Sequence, residues 1–252
     1  MRLALIGYGK MGKIIESLAT ARGHEITSII DPAGGHRVAR RLTAKAVEAA
    51  DVCIEFTTPH AATGNLLRLC QMGQRVVAGT TGWYEHLDDI AAVVKKRNAA
   101  VLYGANFSVG VNLFYRLVER AAELFGSLAD RDFSIHEAHH RAKADAPSGT
   151  ARRLGEIVLA HSRHKNRLAP QTLDRPIAAN ELQITSTRAG WITGIHRVGI
   201  EGAHDSILLE HRAHSREGFA DGALRGAEWL AAAPPGLYRF EDVLDEVLAR
   251  QS

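Results

Sequence analysis

Arg2-Leu-Ala-Leu-Ile-Gly-Tyr-Gly-Lys-Met-Gly12 is the stretch that decides how this chain begins to fold. Leu3, Ala4, Leu5 and Ile6 form a short apolar run with the character of a buried strand. Gly7, Gly9 and Gly12 then supply a tight turn, a close backbone approach and a close helix contact. Helical spacing over residues 11–21 follows. A strand, a glycine turn and a helix in that order put free N–H groups and a positive helix end at one spot, which suits a pyrophosphate. Asp31 ends the next strand candidate, residues 26–30, about 20 residues on, where an acid can hold an adenosine ribose hydroxyl. Gly7, Tyr8, Gly9, Lys10, Met11, Gly12 and Asp31 are therefore expected to bind a dinucleotide. Lys10 attracts a 2′-phosphate or the pyrophosphate, or stands in solvent, whereas Asp31 repels a 2′-phosphate. The pattern favours NADH and leaves NADPH open.

The rhythm repeats outward from that stretch. Residues 52–56, 75–78 and 100–103 read as strands, and residues 61–72 and 86–96 carry helical spacing. Such alternation implies parallel βαβ units with both sheet faces covered. The strand ends carry Phe56-Thr-Thr-Pro59, Gly79-Thr-Thr-Gly82 and Gly104-Ala-Asn-Phe107. In an open α/β sheet ligands bind at the carboxyl ends of the strands, so Gly79, Thr80, Thr81, Gly104, Ala105, Asn106 and Phe107 are expected to join the cofactor site. The pattern then changes. A helix over 110–124 leads to strands at 131–137, 182–187, 191–200 and 206–211, with a helix over 149–160 and a loop over 161–179. Helices over 217–233 and, more weakly, 240–249 are expected to return to the first domain. The fold class is α/β: a Rossmann-type doubly wound parallel sheet, residues 1–105 with 217–252, plus a second α+β domain with a mixed sheet, residues 106–216, for substrate binding and oligomerisation.

The chemistry concentrates in Glu137-Ala-His-His-Arg-Ala-Lys-Ala-Asp-Ala-Pro-Ser-Gly-Thr-Ala151. His139, His140 and Lys143 stand just ahead of Pro147-Ser148-Gly149, a turn that should open a helix. Such a helix start is a ready site for a carboxylate. Proton donors beside an anion cradle suit a reductase of a charged substrate. His136 and His196 have no local partner and read as structural or exposed. No metal is expected, because no cysteine or carboxylate cluster has ligand spacing.

At 252 residues, with 46% apolar and 23% charged residues, the composition is that of an ordinary globular protein. No apolar run reaches the roughly 20 residues that span a bilayer. Met1 leads straight into a strand, which argues against a leader segment, so a cytoplasmic protein with no membrane partner is expected. Cys53 and Cys70 are expected to be buried free thiols. The formal charge of +3 and pI near 9.0 are mild. The basic clusters Arg37-Val-Ala-Arg-Arg41 and His161-Ser-Arg-His-Lys-Asn-Arg167 lack interleaved aromatics, so they read as solvated faces rather than a nucleic-acid stripe. A basic field still steers small polyanions.

Over nearly its whole length the chain resembles the 4-hydroxy-tetrahydrodipicolinate reductase (dihydrodipicolinate reductase) family. The motifs that carry the resemblance are Gly7-x-Gly-x-Met-Gly12, Gly79-Thr-Thr-Gly82, Ala105-Asn-Phe-Ser-Val-Gly-Val-Asn112 and, above all, the stretch from Glu137 to Ala151. It continues in Ser186-x-Arg-x-Gly190, Gly194-x-His-x-Val198 and His211-Arg-Ala-His-Ser-Arg216. The resemblance implies hydride transfer from NADH and/or NADPH to a cyclic dicarboxylated imine in the diaminopimelate route to lysine. It makes His139 the acid–base residue and Lys143 the proton donor. It assigns one substrate carboxylate to His140 and the other to Ser148, Gly149 and Thr150. It also implies a homotetramer built through the sheet domain, and domains that close to exclude water. Asp31 is followed by Pro32, so no arginine waits there for a 2′-phosphate. Rival readings are a reductase of another small oxo or imino acid, such as an aspartate dehydrogenase, and a non-catalytic dinucleotide sensor. The first has no reason to keep His139, His140, Lys143 and the Ser148 turn together, and the second none to keep the proton donors.

Overall fold

Strands covered on both faces read as unbroken apolar runs, and β1 (Arg2–Ile6) buries Leu3, Ala4, Leu5 and Ile6 together. In the computed structural model, which describes residues 1–35, 37–170 and 172–249, the chain divides into two compact units. One comprises Met1–Val109 and the described chain from Arg216 onward; the other is Gly110–Ser215.

In the first unit β1 is followed by α1 (Lys10–Ala21), β2 (Glu25–Ile30), β3 (Val38–Ala39), α2 (Ala44–Val47), β4 (Val52–Glu55), α3 (Pro59–Gln71), β5 (Arg75–Ala78), α4 (Leu87–Arg97) and β6 (Ala100–Tyr103). The helix ends follow from local chemistry. Pro59 sits in the first turn of α3, where its missing N–H costs nothing. In α4, Asp88 and Asp89 face the positive end of the helix dipole, Lys95, Lys96 and Arg97 the negative end, and Asn98 caps it in the left-handed region at φ 51°. All strand pairings are parallel, in the order β12-β6-β5-β4-β1-β2-β3, where β12 is Gly236–Arg239. The chain runs from β1 one way to β2 and the other way to β4, and that reversal opens a crevice at the strand ends.

Helix α7 (Glu217–Leu230) packs Ala220, Ala223, Leu224 and Ala227 into the same core as Leu3, Leu5 and Leu102. Gly222 permits this approach: a Cβ there would lie 1.7 Å from the Phe107 carbonyl oxygen. Between α7 and α8 (Leu244–Ala249), in the gap left between the two expected helices, lies the parallel edge strand β12, which the sequence did not suggest. Its residues, three half-exposed and one exposed, carry no period from which a strand could be read. The two-residue β3 and the single-turn α2 also give no sequence signal.

The second unit contains α5 (Val109–Phe125), β7 (Asp132–His139), α6 (Gly149–His161), β8 (Arg167–Leu168), β9 (Glu181–Arg188), β10 (Ile195–Glu201) and β11 (Ser206–Arg212). Its sheet runs β11-β10-β7-β9-β8 and is mixed: β7 pairs antiparallel with β10 and parallel with β9. Phe133, Ile135, Ile184, Val198 and Ile200 form one face and pack on Val118 of α5 and on Leu154 and Val158 of α6. Ser134, His136, Thr185 and Arg197 alternate onto the other face. The strand expected over 191–200 starts only at Ile195; before it Gly190 turns at φ 47° and Trp191 is 85% exposed. The expected 161–179 loop contains β8.

Cys53 and Cys70 are free and buried, and burial pushes each thiol up to about 12. Among the described residues no helix is long and apolar enough to cross a membrane.

Candidate active site

The glycine turn is built by exclusion. Gly7 has φ +94°, and a Cβ on it would lie 2.1 Å from the Phe56 carbonyl oxygen. One on Gly12 would lie 2.3 Å from the Gly7 oxygen, which holds α1 tight against β1. Gly9 is different, with nothing within 4 Å of a Cβ. Asp31 braces the turn: its Oδ2 accepts the Tyr8 N–H at 2.7 Å and its Oδ1 the Ala33 N–H at 2.9 Å.

Gly7, Gly9 and Asp31 meet at one cavity of about 730 Å³, with Phe56, Thr57 and Thr58 from the end of β4. Arg40, Arg41, Thr43, Asn65 and Arg68 also line it. Arg40 and Arg41 are exposed, as expected of a solvated face, and they line the same cavity as Asp31. They arrive through β3, which pairs with β2, and the Asp31 N–H donates to the Ala39 oxygen at 2.9 Å. Adjacency along the chain, Asp31 then Pro32, misses a cation delivered by a neighbouring strand.

The other cofactor candidates are spread more widely. Tyr8 donates its hydroxyl to Glu16, Lys10 is exposed and Met11 is partly buried in α1. Thr80 is buried; its Oγ1 accepts the Thr57 N–H at 2.7 Å and so ties two strand ends together. Beneath them lies the fully buried Glu55, which accepts from the Thr57 hydroxyl and the Asn65 amide and whose carboxyl is pushed up by burial. Gly79 makes room for the Phe56 ring, 2.0 Å from its would-be Cβ, and Thr81 is exposed. Gly104 and Ala105 border a smaller cavity of about 280 Å³ with Tyr84 and Tyr103. Asn106 Oδ1 accepts the Ser108 N–H at 2.8 Å. The Phe107 ring packs on Phe240, with centroids 4.7 Å apart, and belongs to the core.

In the second unit the apolar face of the sheet turns polar at one end. The cross-strand row Ile184–Ile135–Val198–Leu209 is followed, two residues along, by Ser186–Glu137–His196–His211. His139 comes next on the same face, at the end of β7. His140 is the first residue beyond the strand, so the two adjacent imidazoles are freed from strict alternation there.

Glu137 is the centre of this row and is completely buried. Its Oε2 lies 2.5 Å from His139 Nδ1, and its Oε1 accepts from Arg188 Nη2 at 2.7 Å and from the Ser148 N–H at 3.2 Å. Burial alone would raise this carboxyl, but bonds from His139, Arg188, Ser186 and Ser148 hold it well below the usual carboxylate range. Ser148 caps α6 by accepting the Ala151 N–H at 3.2 Å, and its Oγ lies 3.2 Å from His196 Nε2. Gly149 and Thr150 form the first turn of α6 behind this cap. Lys143 donates to Asp145 Oδ1 at 2.7 Å, and its own N–H bonds the His140 carbonyl at 3.1 Å.

The partners of His136 and His196, missing along the chain, come from other elements. His136 Nδ1 meets Thr185 Oγ1 at 3.0 Å, and His196 meets Ser148 and stands edge-on to His139 at 5.1 Å. Burial pushes His196 down to about 4, so it stands neutral. Glu137, Arg188 and His196 were given no role by sequence spacing; each lies in a motif that carries the family resemblance, and that was the only signal for them. Glu137, His139 and His196 offer donor atoms within 4.8 Å of one another, a grouping that spacing also hid. Glu137 Oε1 is hydrogen-bonded to Arg188 and to the Ser148 N–H, and Oε2 is left to the His139 imidazole.

Family models described as dihydrodipicolinate reductase, N-terminus, and dihydrodipicolinate reductase, C-terminus, match residues 1–107 and 110–244. A protein named 4-hydroxy-tetrahydrodipicolinate reductase from Christiangramia forsetii is 34% identical over 247 residues, which is 98% of this chain and 99% of that one. The fold is shared with dipicolinate-bound dihydrodipicolinate reductase from Paenisporosarcina sp. TG-14, at a TM-score of 0.78 and 22% identity, covering 96% of this chain and 99% of that one. It is shared more distantly with an amine dehydrogenase from Mycobacterium smegmatis, at a TM-score of 0.60 and 12% identity over 94% of each chain.

Proposed function

The chain belongs to the dihydrodipicolinate reductase family, and from that premise we propose that it reduces 4-hydroxy-tetrahydrodipicolinate to tetrahydrodipicolinate in the diaminopimelate route to lysine. The observation that carries the reading is the gathering of His139, Lys143 and the Ser148 cap of α6 at one end of the second sheet. A reductase of a cyclic dicarboxylated imine needs a proton donor and two anion holders. His139 and Lys143 supply and exchange the proton; His140 takes one carboxylate; Ser148, Gly149 and Thr150 take the other at the positive end of α6.

The residues of the first unit fit a dinucleotide. Gly7 and Gly12 exclude a side chain by contact, and Gly9 leaves open space where a pyrophosphate can approach the backbone. When bound, the reduced nicotinamide supplies the hydride. Asp31 would hold the adenosine ribose, Gly9 would let the pyrophosphate pass, and Thr57 and Thr58 would flank it. Arg40 and Arg41, which line the same cavity as Asp31, favour use of NADPH as well as NADH, because guanidinium groups match a phosphate geometrically.

Purified protein should oxidise both NADH and NADPH when freshly prepared 4-hydroxy-tetrahydrodipicolinate is supplied; no turnover with either overturns the reading. Replacing Arg40 and Arg41 together with alanine should raise KM for NADPH by roughly 10-fold or more, about what loss of charged hydrogen bonds costs, and that for NADH much less. Equal effects on the two cofactors would dismiss the arginines as phosphate ligands. The reading extends to a cytoplasmic homotetramer joined through the open face of the five-stranded sheet, where Leu208 is 62% exposed. Sedimentation equilibrium at micromolar protein checks this, and a monomer counts against it.

A further inference from the structure

We infer that Glu137 is a positioning residue for His139: its buried carboxylate takes the Nδ1–H of the imidazole and leaves Nε2 as the nitrogen that exchanges the proton. This rests on the reading of His139 as the acid–base residue and names what makes it one.

The two carboxylate oxygens have separate tasks. Oε1 is anchored by Arg188 and by the N–H of the residue that caps α6. Oε2 and His139 Nδ1 are both buried, form no hydrogen bond to any other group among the described residues, and face each other at 2.5 Å as an ion pair, so each is the one polar group within reach of the other. A carboxylate with no exposure is costly unless it is paired. Arg188 compensates the charge, while the geometry aims the second oxygen at one ring nitrogen. Arg188 also donates to the Asp145 carbonyl at 2.6 Å, which fixes the guanidinium between β9 and the loop that carries Lys143.

The opposite edge of the ring is kept clear. A Cβ at Gly194 would stand 3.2 Å from His139 Nε2, so any other residue there would crowd the nitrogen left open. The titratable groups around the imidazole are Glu137 on its own strand, Arg188 on β9, His196 on β10 and His211 on β11 beyond it, with Lys143 and Asp145 on the following loop. His196 is held neutral by burial, so it does not compete as a cation for Glu137. A neutral imidazole has two tautomers, and only the one protonated on Nδ1 offers Nε2 as a base. A carboxylate on the far nitrogen selects that tautomer and steadies the imidazolium that forms.

The test is Glu137→Gln, which keeps the shape and removes the charge, measured beside His139→Gln. The kcat of E137Q should fall by roughly 10- to 100-fold, with KM for both substrates nearly unchanged. A buried residue of merely structural value would lower Tm and leave kcat per folded site intact. The independent readout is the ¹⁵N spectrum of histidine-labelled protein, with the His139 signals identified by their loss in H139Q. Neutral His139 should carry its proton on Nδ1 in the unaltered protein and on a mixture of nitrogens in E137Q. Normal kcat in E137Q alongside a crippled H139Q overturns the positioning role alone. Normal kcat in H139Q overturns the acid–base reading beneath it. If E137Q does not fold, the spectrum of the unaltered protein decides, because a proton on Nε2 contradicts the inference.

Discussion

Replacing His139 with glutamine lowers kcat by about 10²- to 10⁴-fold, the range typical for loss of a general acid–base group. The side chain is nearly enclosed and its imidazole stands between the Glu137 carboxylate and the edge-on ring of His196. Glutamine has similar bulk and can still hydrogen-bond, but it cannot take up and release a proton near neutral pH. The loss therefore falls on kcat and kcat/KM together, the signature of an interaction used in the transition state rather than in binding. Lys143→Ala should lower kcat by roughly 10²-fold or more as well. It should differ in raising KM too, because in the proposed reading the ammonium that Asp145 holds at 2.7 Å would also face the substrate dianion. Steady-state rates at saturating reduced cofactor, with circular dichroism on each variant, separate these cases. If both folded variants turn over at near-normal kcat, neither residue handles the proton.

The first unit was legible because its signals are local. The turn from Gly7 to Gly12 and the apolar runs of β1, β4, β5 and β6 sit in single stretches, and parallel strands buried on both faces leave that mark. The stretch 137–151 was legible for the same reason, since Ser148 caps the helix it precedes and Lys143 bonds its near neighbour Asp145. What stayed hidden was assembled across strands. Arg40 and Arg41 come to line the same cavity as Asp31 through the pairing of β2 with β3, whose two residues are too few to show a period. Glu137, His196 and His211 form one row only because β7, β10 and β11 align in a particular register. Arg188 meets Glu137 from 51 positions away. A partner set by register cannot be read from spacing along the chain, and for that reason His136 and His196 looked unpaired.

The glycines of the first turn permit a sharper expectation, because they divide folding from binding. Gly7→Ala should damage both. The residue sits at φ +94°, in the left-handed region that side chains avoid, and its new methyl would lie 2.1 Å from the Phe56 oxygen and 2.9 Å from the Thr57 methyl. Both obstacles are held, the first by the β4 backbone and the second by the strand end tied to Thr80, so the turn itself must move. A loss of several kcal/mol is expected from an overlap that backbone must relieve, of the order seen for severe overpacking. Gly9→Val should spare the fold: φ is −76°, which any residue adopts, and nothing lies within 4 Å of its Cβ. The same open space is where a pyrophosphate would meet the backbone, so cofactor affinity should fall by roughly 100-fold or more if close backbone contacts to charge are lost. Thermal melts and fluorescence titration with NADH test the two halves separately. A Gly9→Val protein that melts normally and binds NADH as tightly as the unaltered chain would remove the pyrophosphate from this turn. One that melts far lower would mean that the space beside Gly9 serves packing.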